Sequence, residues 1–324
     1  MFKPLTSPAA PDTTWRLHGV AATGAAWRPA LLVREQRPAN GDRSRPVLYV
    51  HGATFPSDAS IMFRFEGGSW ADSLNAAGFD VFGLDFAGYG GSERYPAMAS
   101  DAPGPPLGRA PETADQVARA VRMILEETGA KQLVIIAHSW GSLPAAAFSA
   151  DHPDQVQRLV LFGPITRRHD APPPNPIPPW RDINIAQQHA RFVAEVPPGE
   201  AQVLAQDDFP RWTRTYLAAD PAAAGREPPA VRTPNGPTAD IAEAWFGRLP
   251  YDPARIRAPT LIVRGDWDRV CDDRDARGLC AALTGSSQAR VVTIPRATHL
   301  MHLETGRQAL YDATNAFLTE APSA

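Results

Sequence analysis

Short runs of apolar, largely β-branched residues recur along the chain, each bounded by glycine, proline or small polar residues. Arg45 to Val50, Phe79 to Phe86, Leu133 to Ala137, Gln157 to Phe162, Pro259 to Arg264 and Ala289 to Ile294 have this form. It is the pattern of strands buried on both faces. Between them lie stretches whose apolar residues fall three and four apart. In Glu112 to Thr128, Val117, Ala120, Val121, Ile124 and Leu125 share one face and Gly129 supplies the stop. Ser69 to Ala77 closed by Gly78, Ser142 to Ala150, Asp272 to Leu283 and Thr305 to Leu318 are the other expected helices. Trp15 to Arg37 alternates more loosely around Gly19 and Gly24, which predicts an opening antiparallel pair. Strand and helix in alternation predict a parallel sheet with helices on its faces.

Beyond Ile165 the rhythm fails. Residues 166–250 hold Pro172-Pro173-Pro174, then Pro176-Ile177-Pro178-Pro179, and a second proline-rich stretch over 221–237, with modest helical patches between. An insertion above the sheet is expected here, leaving residues 1–165 and 251–324 as the core. Its aromatics, among them Trp180, Phe192, Phe209, Trp212, Tyr216, Trp245 and Phe246, are expected first to pack the insertion itself. Some can wall an apolar binding cavity.

Composition narrows the function classes. Of 324 residues, 44% are hydrophobic and 21% charged, enough apolar surface for a sizeable core. A net charge of -3 gives no electrostatic reason to expect nucleic acid or an anionic membrane as partner. No export signal and no run of 18 apolar residues is present, so a soluble, cytoplasmic chain is expected. Cys271 and Cys280 are read as unpaired thiols, and no histidine or cysteine spacing points to a metal or cofactor.

Polar chemistry collects where strands end. The Leu133 strand stops at Ala137-His138-Ser139-Trp140-Gly141, with a helix-compatible, alanine-rich stretch directly behind it. A serine on so sharp a turn needs small neighbours two residues away and stands exposed above the sheet edge. Other strands end at His51-Gly52-Ala53-Thr54, at Asp85-Phe86-Ala87-Gly88-Tyr89-Gly90-Gly91-Ser92, at Gly265-Asp266-Trp267-Asp268 and at Ala297-Thr298-His299. The glycine-rich stretch lacks the G-x-G-x-x-G spacing and a helix behind it, so it is read as a turn in which Asp85 fixes backbone amides. Serine, acid and histidine in that chain order meet the demand of a nucleophilic triad, in which imidazole takes the serine proton and a carboxylate orients the imidazole.

These motifs together resemble the α/β-hydrolase fold family, over essentially the whole chain outside the insertion. The resemblance implies a mostly parallel eight-stranded sheet flanked by helices, with an inserted cap or lid. It implies Ser139 as nucleophile, His299 as general acid and base, Asp268 as orienting acid, and the backbone N–H groups of Ala53 and Trp140 as oxyanion hole. Asp266 stands near, but the family's Gly-x-x-Asp spacing from Gly265 selects Asp268. Ala137 and Thr298 stand where glycine is common in the family, which bears on local backbone geometry. Asp272 and Asp273 are expected to begin a helix, His51 to tie loops together, His138 to pack, and His302 to support His299 from the same face.

The expected activity is hydrolysis of a carboxylic ester of a small apolar or aromatic substrate through an acyl-enzyme, with no cofactor. Phe55, Trp180, Trp212, Trp245 and Trp267 are the candidate substrate-binding side chains. Lactonase, amidase and carbon–carbon bond hydrolase activities use the same triad, and a non-catalytic binding protein on this scaffold is the alternative from another class. Oligomeric state is left open.

Overall fold

A computed structural model describes residues 13–17, 27–169 and 175–321, with side chains from Leu17 onward. Gly19, Gly24 and the Pro172-Pro173-Pro174 run lie outside the described residues. In chain order the first elements are β1 (Thr13–Leu17), β2 (Leu31–Gln36), β3 (Pro46–Val50), α1 (Trp70–Ala76), β4 (Asp80–Asp85), α2 (Ala110–Thr128), β5 (Leu133–His138), α3 (Ser142–Asp151) and β6 (Val156–Phe162). An excursion follows, made of β7 (Trp180–Asn184), α4 (Ile185–Val193), α5 (Phe209–Ala218), β8 (Ala230–Pro234) and α6 (Gly236–Trp245). The chain then returns through β9 (Thr260–Gly265), α7 (Asp273–Ala282), β10 (Ala289–Ile294) and α8 (Gln308–Thr319).

The main sheet has eight strands in the order β1-β2-β4-β3-β5-β6-β9-β10, and only β2 runs against its neighbours. Each central strand is buried on both faces, and the period of two divides it between two cores. Leu48, Val50, Ile135, Ala137, Leu159 and Leu161 face the layer of α2, α3 and α7. Val47, Tyr49, Val134, Ile136, Val160 and Phe162 face the layer of α1 and α8. A continuous apolar run is therefore what such a strand requires.

Local signals end the helices where expected. Ser69 and Asp72 form a reciprocal capping box on α1, and Asp272 with Asp275 forms another on α7. Gly129 closes α2 at φ 72°, a conformation that costs glycine little. Helix α2 starts two residues before the expected Glu112, because Pro111 fits the first turn where no amide is needed.

The excursion departs further from the expectation of helical patches alone. Strands β7 and β8 form a two-stranded antiparallel sheet of their own. Pro234 ends β8 and Pro237 opens α6, so prolines that read as loop sit at element boundaries instead. Phe192, Trp212 and Tyr216 pack with Phe55, Phe63, Phe65, Leu300 and Leu303, so this aromatic cluster joins the excursion to the main body.

Strand order reverses between β3 and β5, and such reversals open a crevice beyond the strands' carboxyl ends. The exits of these two strands carry His51-Gly52-Ala53-Thr54 and Ser139.

Candidate active site

Ser139 adopts φ 53°, a left-handed conformation that costs a non-glycine residue on the order of 1–3 kcal/mol. The surrounding backbone holds it there. A Cβ on Gly141 would fall 2.3 Å from the His51 carbonyl oxygen, and one on Gly52 would fall 3.1 Å from the Ser139 Cβ. Glycine at both places lets the β3 exit and the elbow pass this closely. Ala137 is accommodated inside β5 with no exposed surface, so the family's commoner glycine is not needed there. Helix α3 begins just behind Ser139 without a side-chain cap, leaving the positive end of its dipole toward the elbow.

His299 reaches Ser139 from the exit of β10. Its Nε2 stands 2.8 Å from Ser139 Oγ, and its Nδ1 lies 3.0 Å and 3.1 Å from the two Asp268 carboxylate oxygens. Asp268 also accepts the amides of Val270 and Cys271 at 2.9 Å, which fixes the carboxylate before it meets the ring. Asp266 turns elsewhere and accepts the Ala297 amide at 3.1 Å. The three groups are buried, with exposures of 7% for Ser139, 5% for His299 and 2% for Asp268.

Three histidines meet here, and their electrostatics separate them. Burial alone would lower the His299 pKa, but the charge of Asp268 and its hydrogen bond reverse this and hold it above the ordinary imidazole value. His302 has no such partner. Burial and the nearby His299 press it down to about 3. His138 is likewise held well below its ordinary value by burial and then by His302 and His299. It stacks on Phe162 at 4.3 Å, and its Nε2 lies 3.1 Å from the His299 carbonyl oxygen. Of the three, His299 is the one built to gain a proton.

The neighbouring motifs act as scaffolding. His51 Nδ1 lies 2.7 Å from the Gly52 carbonyl, and its Nε2 accepts the Phe86 amide at 3.1 Å, tying two strand exits together. Asp85 accepts the amides of Ser57 and Gly91 and pairs with Arg34. Cys271 is buried with its thiol pKa raised by burial, and Cys280 is also free.

The candidate binding aromatics fall in different places. Phe55 packs edge-on against Trp212 at 5.4 Å and lies 6.1 Å from the His302 ring. Trp212 commits its indole N–H to the Ala59 carbonyl at 2.8 Å. Trp180 donates to Ser100 O and lies under Arg232, Trp245 lies under Arg168, and Trp267 under Arg296. Cavities of about 410 and 510 Å³ are lined by residues that include Thr166, His169 and Asp252 in one and 101–104 with 176–180 in the other. Neither is lined by Ser139, Asp268 or His299.

Several residues near the site carry no local signal in the sequence. Glu195, just after α4, accepts the His299 amide at 2.7 Å and the Arg269 amide at 3.1 Å, so one carboxylate grips both loops that carry Asp268 and His299. Asp240 on α6 accepts the Trp140 indole N–H at 3.0 Å and the Ala110 amide at 2.7 Å, and pairs with Arg109. Glu304 accepts the Thr298 amide and hydroxyl, and burial pushes its carboxyl up to about 7. A Cβ on Gly163 would lie 2.9 Å from His299 Cε1, so this glycine keeps the imidazole's place open. Among the described residues, no group of three or more His, Cys, Asp or Glu is placed to hold a metal ion, and no helix is long and apolar enough to cross a membrane.

Comparison with known proteins bears on the fold that carries this geometry. A family model described as the alpha/beta hydrolase fold matches residues 45–305. A monoacylglycerol lipase of Mycolicibacterium smegmatis is 23% identical over 257 residues, covering 76% of this chain and 81% of that one. The 1-acylglycerol-3-phosphate O-acyltransferase ABHD5 of Mus musculus is 27% identical over 151 residues, 44% of this chain and 40% of that one. Among solved structures, an esterase from Exiguobacterium antarcticum matches with a TM-score of 0.60 at 16% identity, covering 90% of this chain and 97% of that one.

Proposed function

The chain belongs to the α/β-hydrolase fold family and is a hydrolase of the ester-cleaving kind, and on that premise we propose that Ser139 is its nucleophile, acting through an acyl-enzyme. The observation that carries the reading is the unbroken chain from Ser139 Oγ to His299 Nε2 at 2.8 Å and from His299 Nδ1 to Asp268 at 3.0 Å. Ser139 attacks the ester carbonyl while its proton passes to His299 Nε2, and Asp268 holds Nδ1–H and stabilises the imidazolium. The alkoxide charge on the carbonyl oxygen is met by the amides of Ala53 and Trp140. Two observations support that assignment: Gly52, next to Ala53, lies against Ser139, and α3 is uncapped beside Trp140. Collapse expels the alcohol, which takes the proton from His299. Water then gives a proton to His299, attacks the acyl carbon and releases the acid.

Residues 166–250 act in this reading as a cap over a core of 1–165 and 251–324. Trp212 and Phe55 form the apolar side of the substrate site, which suits an apolar or aromatic part of the ester.

The test is rapid mixing with 4-nitrophenyl esters of increasing acyl length. The expected result is a burst of nitrophenolate equal to the enzyme concentration, absent in Ser139→Ala. Steady hydrolysis by a correctly folded Ser139→Ala variant at the parent rate overturns the assignment.

A further inference from the structure

Several arginines in and beside the excursion find acids. Arg94 and Arg226 pair with Asp220 at 3.3 Å and 2.7 Å, Arg232 pairs with Asp182 at 2.9 Å, and Arg168 pairs with Asp275. Arg181 on β7 and Arg191 on α4 have no carboxylate partner among the described residues. Arg191 Nη1 donates to Thr54 Oγ1 at 2.8 Å and to Gln188 Oε1 at 3.1 Å. Arg181 Nη1 donates to Thr238 Oγ1 at 2.6 Å, while its Nε is buried without an acceptor.

The position of Arg191 is informative. Thr54 follows Ala53 directly, and consecutive Cα atoms are about 3.8 Å apart, so this guanidinium stands beside the loop that carries the proposed oxyanion donor. Its side chain keeps solvent access by area, yet protein surrounds it closely enough that burial, and then the charge of Arg181, lower its pKa. Its two hydrogen bonds, to Thr54 and Gln188, set the guanidinium against the loop that follows β3. Its charge is also felt at His299, and that of Arg181 at Tyr89, whose hydroxyl donates to Ala53 O at 2.9 Å. Glu195 is the acid whose charge acts on Arg191, but its two oxygens already accept the His299 and Arg269 amides. Among the described residues neither guanidinium meets a carboxylate, so charge-assisted hydrogen bonds to an anion are open to both.

We infer that Arg191 and Arg181 form an anion-recognition site next to Ser139, so that the preferred ester carries a carboxylate or phosphate group a few bonds from its scissile carbonyl. The inference rests on the ester-hydrolase reading above. Guanidinium forks match both anions, and such charge-assisted bonds are among the stronger ones available to a ligand. Thr54 and Gln188 hold the Arg191 fork in place, so little freedom is lost when the anion arrives.

The experiment compares monomethyl esters of four- to six-carbon dicarboxylic acids with methyl butanoate, pentanoate and hexanoate. The parent should favour at least one charged ester by roughly 10- to 100-fold in kcat/KM, the range of one to two charge-assisted bonds. Arg191→Met and Arg181→Met should each collapse that ratio, and Arg191→Lys should keep part of it. Glutarate and inorganic phosphate, tested as inhibitors of the neutral ester, tell a carboxylate site from a phosphate site. No preference in the parent together with no inhibition by either anion, or a ratio and an inhibition unchanged in both methionine variants, overturns the inference. If no ester is cleaved, the ester reading fails by itself, and calorimetric titration of parent and Arg191→Met with both anions decides the anion site separately. Binding to the parent of either anion that the variant lacks supports the site, and no binding to the parent refutes it.

Discussion

The strand exits and the excursion between β6 and β9 both bear on Ser139, but they are specified in different ways. The strand exits are set by local backbone demands: a left-handed serine, glycines at two close approaches, and a histidine and an aspartate at the ends of adjacent parallel strands. The excursion is held by long-range contacts instead. Glu195 grips the loops of Asp268 and His299, Asp240 grips Trp140, and Trp212 donates to Ala59. The difference teaches a division of labour. In the proposed mechanism the groups that exchange protons stand on the sheet edge, while the excursion supplies the carboxylates that steady their loops and, as proposed, the side chains that meet substrate.

The largest expected effect is at the sheet edge. Ser139→Ala should lower kcat on the order of 10⁴- to 10⁶-fold with an unchanged melting temperature, measured by stopped flow and calorimetry. Gly163→Ala extends the same side of the comparison to a glycine outside the reacting trio. Its new Cβ would meet His299 Cε1 and Nδ1 at 2.9 Å, and a displaced imidazole should cost roughly 10²-fold in kcat.

Glu195→Gln probes the excursion's share. One amide of the pair loses its acceptor, and a loss of roughly tenfold in kcat with little change in KM is expected. If this variant falls as far as Ser139→Ala while remaining folded, the division between chemistry and support is wrong. The pH–rate profile sharpens it further. His299 must be neutral to accept the serine proton, and its pKa is raised, so activity should climb through an acid limb lying above the ordinary histidine value. Asp268→Asn should move that limb downward. The stabilisation from the His299–Asp268 pair is full below the unfolded histidine pKa and fades as pH rises through the folded one. Trp212→Phe should have the smallest effect, about 1 kcal/mol of stability from the lost indole hydrogen bond, read by denaturant titration.

The same division explains what the sequence disclosed. The strands of the main sheet and the helices packed on it are legible, because continuous apolar runs, apolar residues three and four apart, and bounding glycines and prolines all act within a few positions of each other. Ser139 stands out because it follows directly on an apolar run with small residues around it, whereas Asp268 and His299 are singled out by resemblance to the family's motifs after later strands. Glu195 and Arg191 are not legible, since what singles them out is a partner more than a hundred residues away in the chain. Strands β7 and β8 escape notice for a related reason. Both are short and follow prolines, Pro179 and Pro229, which read as loop. Each pairs only with the other, across the helices α4 and α5 that separate them, so no local pattern marks either as a strand.

The most direct test of the central claim is covalent. The parent is incubated with a fluorophosphonate, which traps an activated serine, and the labelled chain is digested and mapped by mass spectrometry. The account predicts one phosphonyl group per chain, on the peptide containing Ser139, with labelling abolished in Ser139→Ala and strongly slowed in a folded His299→Ala. Stoichiometric label on another residue, or undiminished labelling of Ser139→Ala, would contradict it.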